Sequence, residues 1–395
     1  MILREMTHIL QEAAQQFRVV TILGPRQSGK TTLAQETFKN HTYVSLEDLD
    51  IRAHALEDPR EFLEFHKNPH GIILDEIQNV PTILPYIQTM VDREKINGYF
   101  ILTGSQNFLI NEAITQTLAG RMAVLTLLPL SISELEDNKL LPKTAEGYIY
   151  KGSYPQLYAQ KTNIQLWYSS YTLSYIERDV RQVTTINELT TFKLFLQLCA
   201  GRIGQSLNIS SLANDCGITQ RTADKWLSLL QASYIIILLQ PYYKNFSKRL
   251  VKTPKLYFYD TGLACSLLGI ESEDQVKTHY LRGGLMENLI ITDLYKQYAH
   301  KGRSPHLYFW RDNHGHEIDC LIEKGTYLFP IEIKAGKTIS SNYFSGLNYW
   351  NELTHNDPTQ SLVVYSGSED QKRSNGNVFS WQSASQIIEK IYQQV

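Results

Sequence analysis

One run of eight residues constrains this chain more than any other: Gly24-Pro25-Arg26-Gln27-Ser28-Gly29-Lys30-Thr31 fits the spacing G-x-x-x-x-G-K-[ST]. Before it stands Arg18-Val-Val-Thr-Ile-Leu, a short apolar run with β-branched residues that reads as a buried strand. After it comes Thr32-Leu-Ala-Gln-Glu-Thr-Phe, which reads as a helix. The glycines let the backbone curl so that its N–H groups face phosphates, and the helix N-terminus adds partial positive charge. In that setting residues 24 to 32, Thr32 included, form a nucleotide cradle. Lys30 would reach the β- and γ-phosphates and the Thr31 hydroxyl would ligate Mg²⁺. ATP and Mg²⁺ are the expected cofactors.

Such a cradle needs a second strand ending in acid, and Gly71-Ile-Ile-Leu-Asp75-Glu76 supplies it. Asp75 is expected to hold Mg²⁺ through water and Glu76 to polarise the attacking water. A third apolar run, Tyr99-Phe-Ile-Leu-Thr103, leads into Gly104-Ser105-Gln106-Asn107. Ser105 or Asn107 is the candidate for a polar sensor at that strand tip; a Gly-Ser turn capping the next helix explains the same residues. In Leu118-Ala-Gly-Arg121, the arginine is a candidate for neutralising γ-phosphate charge, either in cis or from a neighbour in a homo-oligomer. A surface arginine at a helix end is the other reading.

These stretches resemble a large prokaryotic family of AAA ATPases whose members carry a C-terminal domain of unknown function. The likeness rests on Gly-Pro-Arg-Gln-Ser-Gly-Lys-Thr-Thr-Leu, Leu-Asp-Glu-Ile-Gln, Leu-Thr-Gly-Ser and Leu-Ala-Gly-Arg. It continues through Lys151-Gly-Ser-Tyr-Pro and Tyr175-Ile-Glu-Arg-Asp179 towards the C-terminal end. The resemblance implies an AAA core, a winged-helix region and a nuclease-like end.

With 395 residues the chain suits two or three domains. A net charge of −2 gives no overall field that would draw it to nucleic acid or membrane, so any such binding must come from a local patch. Cys199, Cys216, Cys265 and Cys320 are scattered among mostly apolar neighbours and read as reduced, packed thiols. The longest greasy stretch, Tyr234-Ile-Ile-Ile-Leu-Leu, is far short of the roughly 20 residues a membrane helix needs. A cytoplasmic protein without a membrane segment is expected.

Residues 163 to 205 read as helices, with Arg178-Asp179 an internal salt bridge or a second sensor. Asn208-Ile-Ser-Ser-Leu-Ala-Asn-Asp-Cys-Gly217-Ile-Thr-Gln has helix-turn-helix dimensions and continues into a second helix. There Ala223, Leu227 and Leu230 share one face while Arg221, Lys225 and Ser228 share another. The polar face suits a major groove of duplex DNA, and the basic, aromatic segment Tyr242 to Lys252, with Lys248 and Arg249, suits a wing on phosphates. A packing module with solvated lysines is the alternative.

In the last third, Gly283-Gly-Leu-Met-Glu287 begins a helix on which Glu287 shares a face with Ile291 and Leu294, so its carboxylate points inward. Strands are expected at Leu307-Arg311, His316-Ile322 and Leu328-Lys334. A period of two puts Ile318, Cys320 and Ile322 on one side, and Glu317 and Asp319 on the other with Glu332 and Lys334. Such a cluster matches the PD-(D/E)XK nuclease-like layout, in which Glu287, Asp319 and Glu332 hold Mg²⁺ and Lys334 positions or deprotonates water. Ile318 stands where the best-known nucleases have proline. A structural cluster in which Lys334 pairs with Asp319 and Glu332 is the competing reading, and His314 and His316 are expected to be bystanders. The expected α/β architecture is a P-loop AAA domain at 1–160, a helical and winged-helix region at 161–270, and a nuclease-like domain at 271–395. The expected function is ATP hydrolysis coupled to DNA, with a regulatory or assembly ATPase acting on protein as the alternative.

Overall fold

The computed structural model describes residues 2–105, 117–176, 189–242 and 253–394. Asn107, Arg178, Asp179, Lys248 and Arg249 lie outside the described residues. Two compact units make up the chain: Met1–Leu130 with Ala232–Tyr234 and Tyr298–Arg303, and Ser131–Gln231 with Ile235–Gln297 and Ser304–Val395. The first unit thus ends its main run at Leu130, short of the expected residue 160, and the helical region and the C-terminal domain pack as one unit.

The first unit is built on five parallel strands: β1 (Val19–Gly24), β2 (Thr42–Ser45), β3 (Ile72–Asp75), β4 (Phe100–Ser105) and β5 (Met122–Thr126), in the order β2-β3-β4-β1-β5. Because both faces are covered, the strands read as apolar runs rather than alternating ones. Val19, Leu74, Phe100 and Leu102 join one core with Ile87 and Val91 of the helix Leu84–Glu94. Val20, Ile22, Ile73 and Ile101 join the other, with Leu10 of the helix Met6–Gln16 and Leu33 of the helix Lys30–Thr37. Parallel pairing brings the carboxyl ends of β1, β3 and β4 to one edge, with β4 between the two strands that carry the nucleotide motifs.

Two sheets shape the second unit. β6 (Ile236–Leu239) and β7 (Lys255–Phe258) form an antiparallel pair that follows a helix-turn-helix. Its first helix, Ile209–Cys216, is capped by the Asn208 side chain and ended by Gly217 in the left-handed conformation. In its second helix, Gln220–Ala232, Ala223, Trp226, Leu227 and Leu230 are buried while Arg221, Lys225 and Ser228 are exposed. Trp226 meets Phe192 and Phe195 of the preceding helix, Leu189–Ala200, edge to face, with centroids 5.2 and 5.1 Å away. The expected apolar face is present, with Trp226 as an anchor that the spacing did not single out.

The remaining strands are β8 (Leu307–Arg311), β9 (Glu317–Lys324), β10 (Tyr327–Lys334), β11 (Leu362–Tyr365), β12 (Gln371–Arg373) and β13 (Gly376–Ser380). They form a mixed sheet ordered β12-β13-β11-β10-β9-β8, parallel at β10–β11 and β11–β13. A register shift between β8 and β9 breaks the expected alternation: Ile318 and Leu321 both enter the core around Trp310 and Trp350. The four cysteines are free and buried, as expected of packed thiols. Among the described residues no helix is long and apolar enough to cross a membrane.

Candidate functional site

The loop between β1 and the helix Lys30–Thr37 has the backbone that its sequence demands. Gly24 has φ +150°, and a Cβ there would stand 2.1 Å from the carbonyl oxygen of Leu127, so only glycine fits. Gln27 and Gly29 also take positive φ, +60° and +96°, which curls the loop. Lys30 is almost wholly buried, and its ammonium donates to the carbonyls of Pro25 (2.8 Å) and Gly24 (3.2 Å), which line the cradle with it. Thr32, at the third position of the helix, is exposed. Arg4 supplies a brace that no motif announced: it donates to the carbonyls of Ser28 and Leu128, both at 2.7 Å, and so ties the cradle to the chain beyond β5.

Across β4 stands Asp75, at the end of β3. Its carboxylate accepts from the Thr31 hydroxyl at 2.9 Å (Oδ1) and 3.0 Å (Oδ2), from the Tyr43 hydroxyl at 2.9 Å, and from Thr103. Burial, with the Asp75 charge second, holds the Tyr43 hydroxyl protonated well above its ordinary range. Three neutral donors thus orient the Asp75 carboxylate, and Thr31 and Asp75 already touch. A hydroxyl and a carboxylate joined in this way are the oxygen donors that a Mg²⁺ site needs, so the residues fit the ion.

Glu76 follows in the left-handed conformation, φ +57°, which turns its side chain out of the strand line. Gln78 donates to the Glu76 carboxylate and, at 3.0 Å, to Ser105 Oγ, while the Ser105 hydroxyl is 3.4 Å from Glu76. Ser105, the last residue of β4, therefore stands against Glu76 with Gln78 as the bridge, and Gln78 was not singled out from sequence.

Arg121 lies elsewhere. It precedes β5, which runs parallel to β1 with Met122 opposite Val19, so it sits at the amino end of the sheet while the cradle sits at the carboxyl end. Its guanidinium forks Asp92 at 2.7 and 2.8 Å, beside Arg18. A role on the γ-phosphate of its own molecule is corrected by that placement; the register of β5, invisible in the sequence, decides it.

In the second unit Glu287, Glu317, Asp319 and Glu332 converge, and lysines stand between them. Lys334 pairs with Glu332 and lies 3.5 Å from Asp319. Lys255, from β7, pairs with Glu317 and lies 3.4 Å from Glu287, which also accepts from the Tyr257 hydroxyl at 3.0 Å. The β9–β10 ladder is followed only to Cys320 opposite Ile331, and the Asp319 carboxylate then takes the Ile333 N–H at 2.8 Å. Gly346, on the helix Ser345–Thr354, lets that helix close over the cluster, since a Cβ would stand 2.6 Å from Glu332.

Burial, opposed by Lys255, raises the Glu287 carboxyl to about 7. Burial and then the Asp319 charge raise Glu332 to about 8 against the pull of Lys334. Burial works against the Lys255 charge, but Glu287, Asp319 and Glu317 together raise its pKa and keep it ionised. Among the described residues no three His, Cys, Asp or Glu side chains form a group that could hold a metal ion. Among the acids of the expected metal set, Glu287, Asp319 and Glu332, ammonium groups stand as partners, and the competing pairing of Lys334 with Asp319 and Glu332 is present. His316 stacks on Tyr349 at 3.7 Å and bonds Asp312 at 2.9 Å.

Comparisons with known proteins cover the chain in three blocks. Residues 16–136 match the family described as AAA domain, residues 143–274 a domain of unknown function (DUF8612), and residues 282–384 another (DUF4143). An uncharacterized protein of Mycobacterium tuberculosis is 28% identical over 84% of this chain and 73% of its own length. One from Haemophilus influenzae is 21% identical over 71% and 74%. Among solved structures, a Walker-type ATPase of Pyrococcus abyssi is 14% identical, covers 67% of this chain and 94% of its own, and gives a TM-score of 0.43. With the cradle, the Thr31–Asp75 contact and the family match in agreement, residues 16–136 are an AAA-type P-loop ATPase domain.

Proposed function

We propose that this protein hydrolyses Mg·ATP and uses the cycle on duplex DNA. The observation that carries the first part is the set of three hydroxyls on Asp75, one of them from Thr31 of the cradle. In this reading Thr31 and Asp75 hold Mg²⁺, which when bound offsets charge on the β- and γ-phosphate oxygens. Lys30 exchanges its carbonyl partners for phosphate oxygens, a charge-assisted bond in a nearly dry site. Glu76 orients the attacking water and takes its proton, with Gln78 and Ser105 fixing the carboxylate. Steady-state phosphate release tests the reading: wild type turns over ATP with Mg²⁺, and Lys30→Ala and Glu76→Gln do not.

The DNA part is supported by the exposed Arg221 and Lys225 on a helix whose opposite face is anchored by Trp226. With the β6–β7 pair this region reads as a winged helix, its second helix fitting the major groove. A low-salt mobility shift that disappears in the Arg221→Ala, Lys225→Ala double variant is the expected outcome. No shift with wild type removes DNA and leaves a protein-directed ATPase, and a homo-oligomer is compatible with both.

A second reading, phosphodiester cleavage at the C-terminal acids, is favoured by one observation: Glu287, Glu317, Asp319 and Glu332 gather around Lys255 and Lys334. A PD-(D/E)XK-like domain would place its acids and lysine in this way. Cutting of linear or supercoiled DNA with Mn²⁺, lost in Asp319→Ala, is its test; intact DNA under all conditions makes the cluster structural.

A further inference from the structure

Three adjacent strands of the mixed sheet, β10, β11 and β13, run parallel, and a cavity of about 580 Å³ opens beyond their carboxyl ends. In open α/β sheets that crevice is where ligands are bound, because the loops leaving parallel strands diverge there. Its volume lies within the roughly 300–1,000 Å³ range of small-molecule pockets. Lys337 and Thr338 follow β10, Ser366, Gly367 and Ser368 follow β11, and Gln382 follows β13, all on its wall.

The loop after β11 is built rather than loose. Ser366 donates its hydroxyl to the Ala335 carbonyl at 2.7 Å and its N–H to the Lys334 carbonyl at 3.2 Å. Tyr365 turns under the loop, bonding Glu369 as donor (3.0 Å) and as acceptor (3.1 Å). A Cβ on Gly367 would meet the Tyr365 ring at 2.1 Å, so the turn requires glycine. Lys143, Lys337 and Arg373 bring positive charge to the rim.

Glu146 gives the wall its second character. It is 2% exposed, Arg282 holds its Oε1 at 3.0 Å, and among the described residues Oε2 takes part in no hydrogen bond, with the Lys337 ammonium 3.9 Å from it. A buried carboxylate oxygen left without a donor is costly unless something supplies one. Rim cations select an anion, and Glu146 selects an N–H or O–H on the same molecule. Lys337, on this wall, lies three residues beyond Lys334, in the loop that leaves the strand carrying Glu332 and Lys334.

We propose that this cavity binds the phosphate ester of a nucleoside, free or at the end of a nucleic-acid strand, with Lys337 and Arg373 on the phosphate and Glu146 on a donor of the sugar or base. The proposal requires neither ATP turnover nor DNA cleavage, so it can fail or stand by itself.

The test uses the full chain carrying Lys30→Ala, which silences the P-loop, with chelator present so that nothing is cut. Fluorescence anisotropy compares a labelled single-stranded oligonucleotide bearing a terminal phosphate with the same strand ending in hydroxyl. The phosphorylated strand is expected to bind roughly tenfold tighter, the worth of one charge-assisted hydrogen bond. Lys337→Ala with Arg373→Ala, both exposed positions that leave the fold intact, should erase the preference. Glu146→Gln should weaken binding of both strands, and Lys337→Ala keeps the site testable should that buried variant not fold. Competition by deoxyadenosine monophosphate supports the free nucleotide as the source, and preference without competition supports the strand end. Equal binding of the two strands, or a preference that survives the double variant, overturns the proposal.

Discussion

Asp75, the last residue of β3, and Asp319, the third residue of β9, are both nearly buried carboxylates, and the two units balance them in opposite ways. Asp75 is held by hydroxyls of Thr31, Tyr43 and Thr103. Asp319 is held by the Ile333 N–H and by the ammonium of Lys334, in a cluster to which Lys255 adds a second cation. Neutral donors fix the direction of a carboxylate while leaving its charge to attract a metal. Ammonium groups cancel that charge. In the proposed reading the first arrangement receives Mg·ATP; the second is already compensated, and an incoming divalent ion must displace or accommodate a lysine.

The comparison is most open to attack through Lys30, whose replacement should have the largest effect. In Lys30→Ala ATP turnover should fall by roughly 10²–10³-fold, the loss usual when a preorganised charge is removed from developing transition-state charge. Urea denaturation should show the variant still folded, so that the loss of turnover reads as a loss of chemistry. A small loss of turnover would mean that the cradle is not where hydrolysis occurs.

Lys255→Met should behave in the reverse way. Removing one partner of a buried, paired cluster leaves carboxylates uncompensated and costs on the order of 3–5 kcal/mol. Urea denaturation should show that loss, while ATP turnover of the folded protein is unchanged. Adding Glu287→Gln should restore part of the stability, because the amide no longer needs a counter-ion. A Lys255→Met protein as stable as wild type would mean that Lys255 does not offset the charge of the cluster.

The pH dependence sharpens the same contrast. Burial first and the Asp319 charge second raise Glu332 from its ordinary 4.5 to about 8, and burial raises Glu287 to about 7. Between about pH 4.5 and 8 the folded chain therefore keeps protons that the unfolded chain has released. Stability should fall as pH rises through that window and flatten above it. Urea midpoints measured from about pH 5 to about pH 9 should show the slope in wild type and a shallower one in Glu332→Gln. A midpoint that instead rises across the window would show the carboxylates to be fully ionised partners of the lysines.

How much of this was legible in the sequence follows the same division. The P-loop was readable because its backbone dictates its residues: Gly24 is required by the carbonyl of Leu127, and glycine spacing survives in one dimension. Asp75, Glu76 and Ser105 were readable as strand ends. Glu287, Asp319, Glu332 and Lys334 converge as the spacing suggested, but a register shift interrupts the alternation from which they were read. Lys255, Tyr43, Gln78 and Arg4 escaped notice because tertiary packing alone chooses them. Lys255 comes from a strand more than sixty positions before Asp319, with no motif around it. Trp226 escaped because a period of 3.6 marks a face but not which residue on it anchors the packing.

Arg121 gives the smallest expected effect and the cleanest separation of sequence from fold. It was attractive as an arginine for the γ-phosphate because it follows the third strand of the nucleotide half. The parallel register sets it beside Val19, at the end of the sheet away from the cradle, where it forks Asp92. Both partners are partly exposed, with side-chain exposures of 31% and 40%, and such pairs contribute little. Arg121→Ala should therefore leave the urea midpoint nearly unmoved and ATP turnover per chain within about twofold at low protein concentration. An oligomer in which a neighbour presents Arg121 to the cradle makes a different prediction. Specific activity would rise with protein concentration in wild type, and the rise would vanish in Arg121→Ala. A turnover strictly proportional to protein, in wild type and variant alike, leaves Arg121 as an ion pair at the quiet end of the sheet.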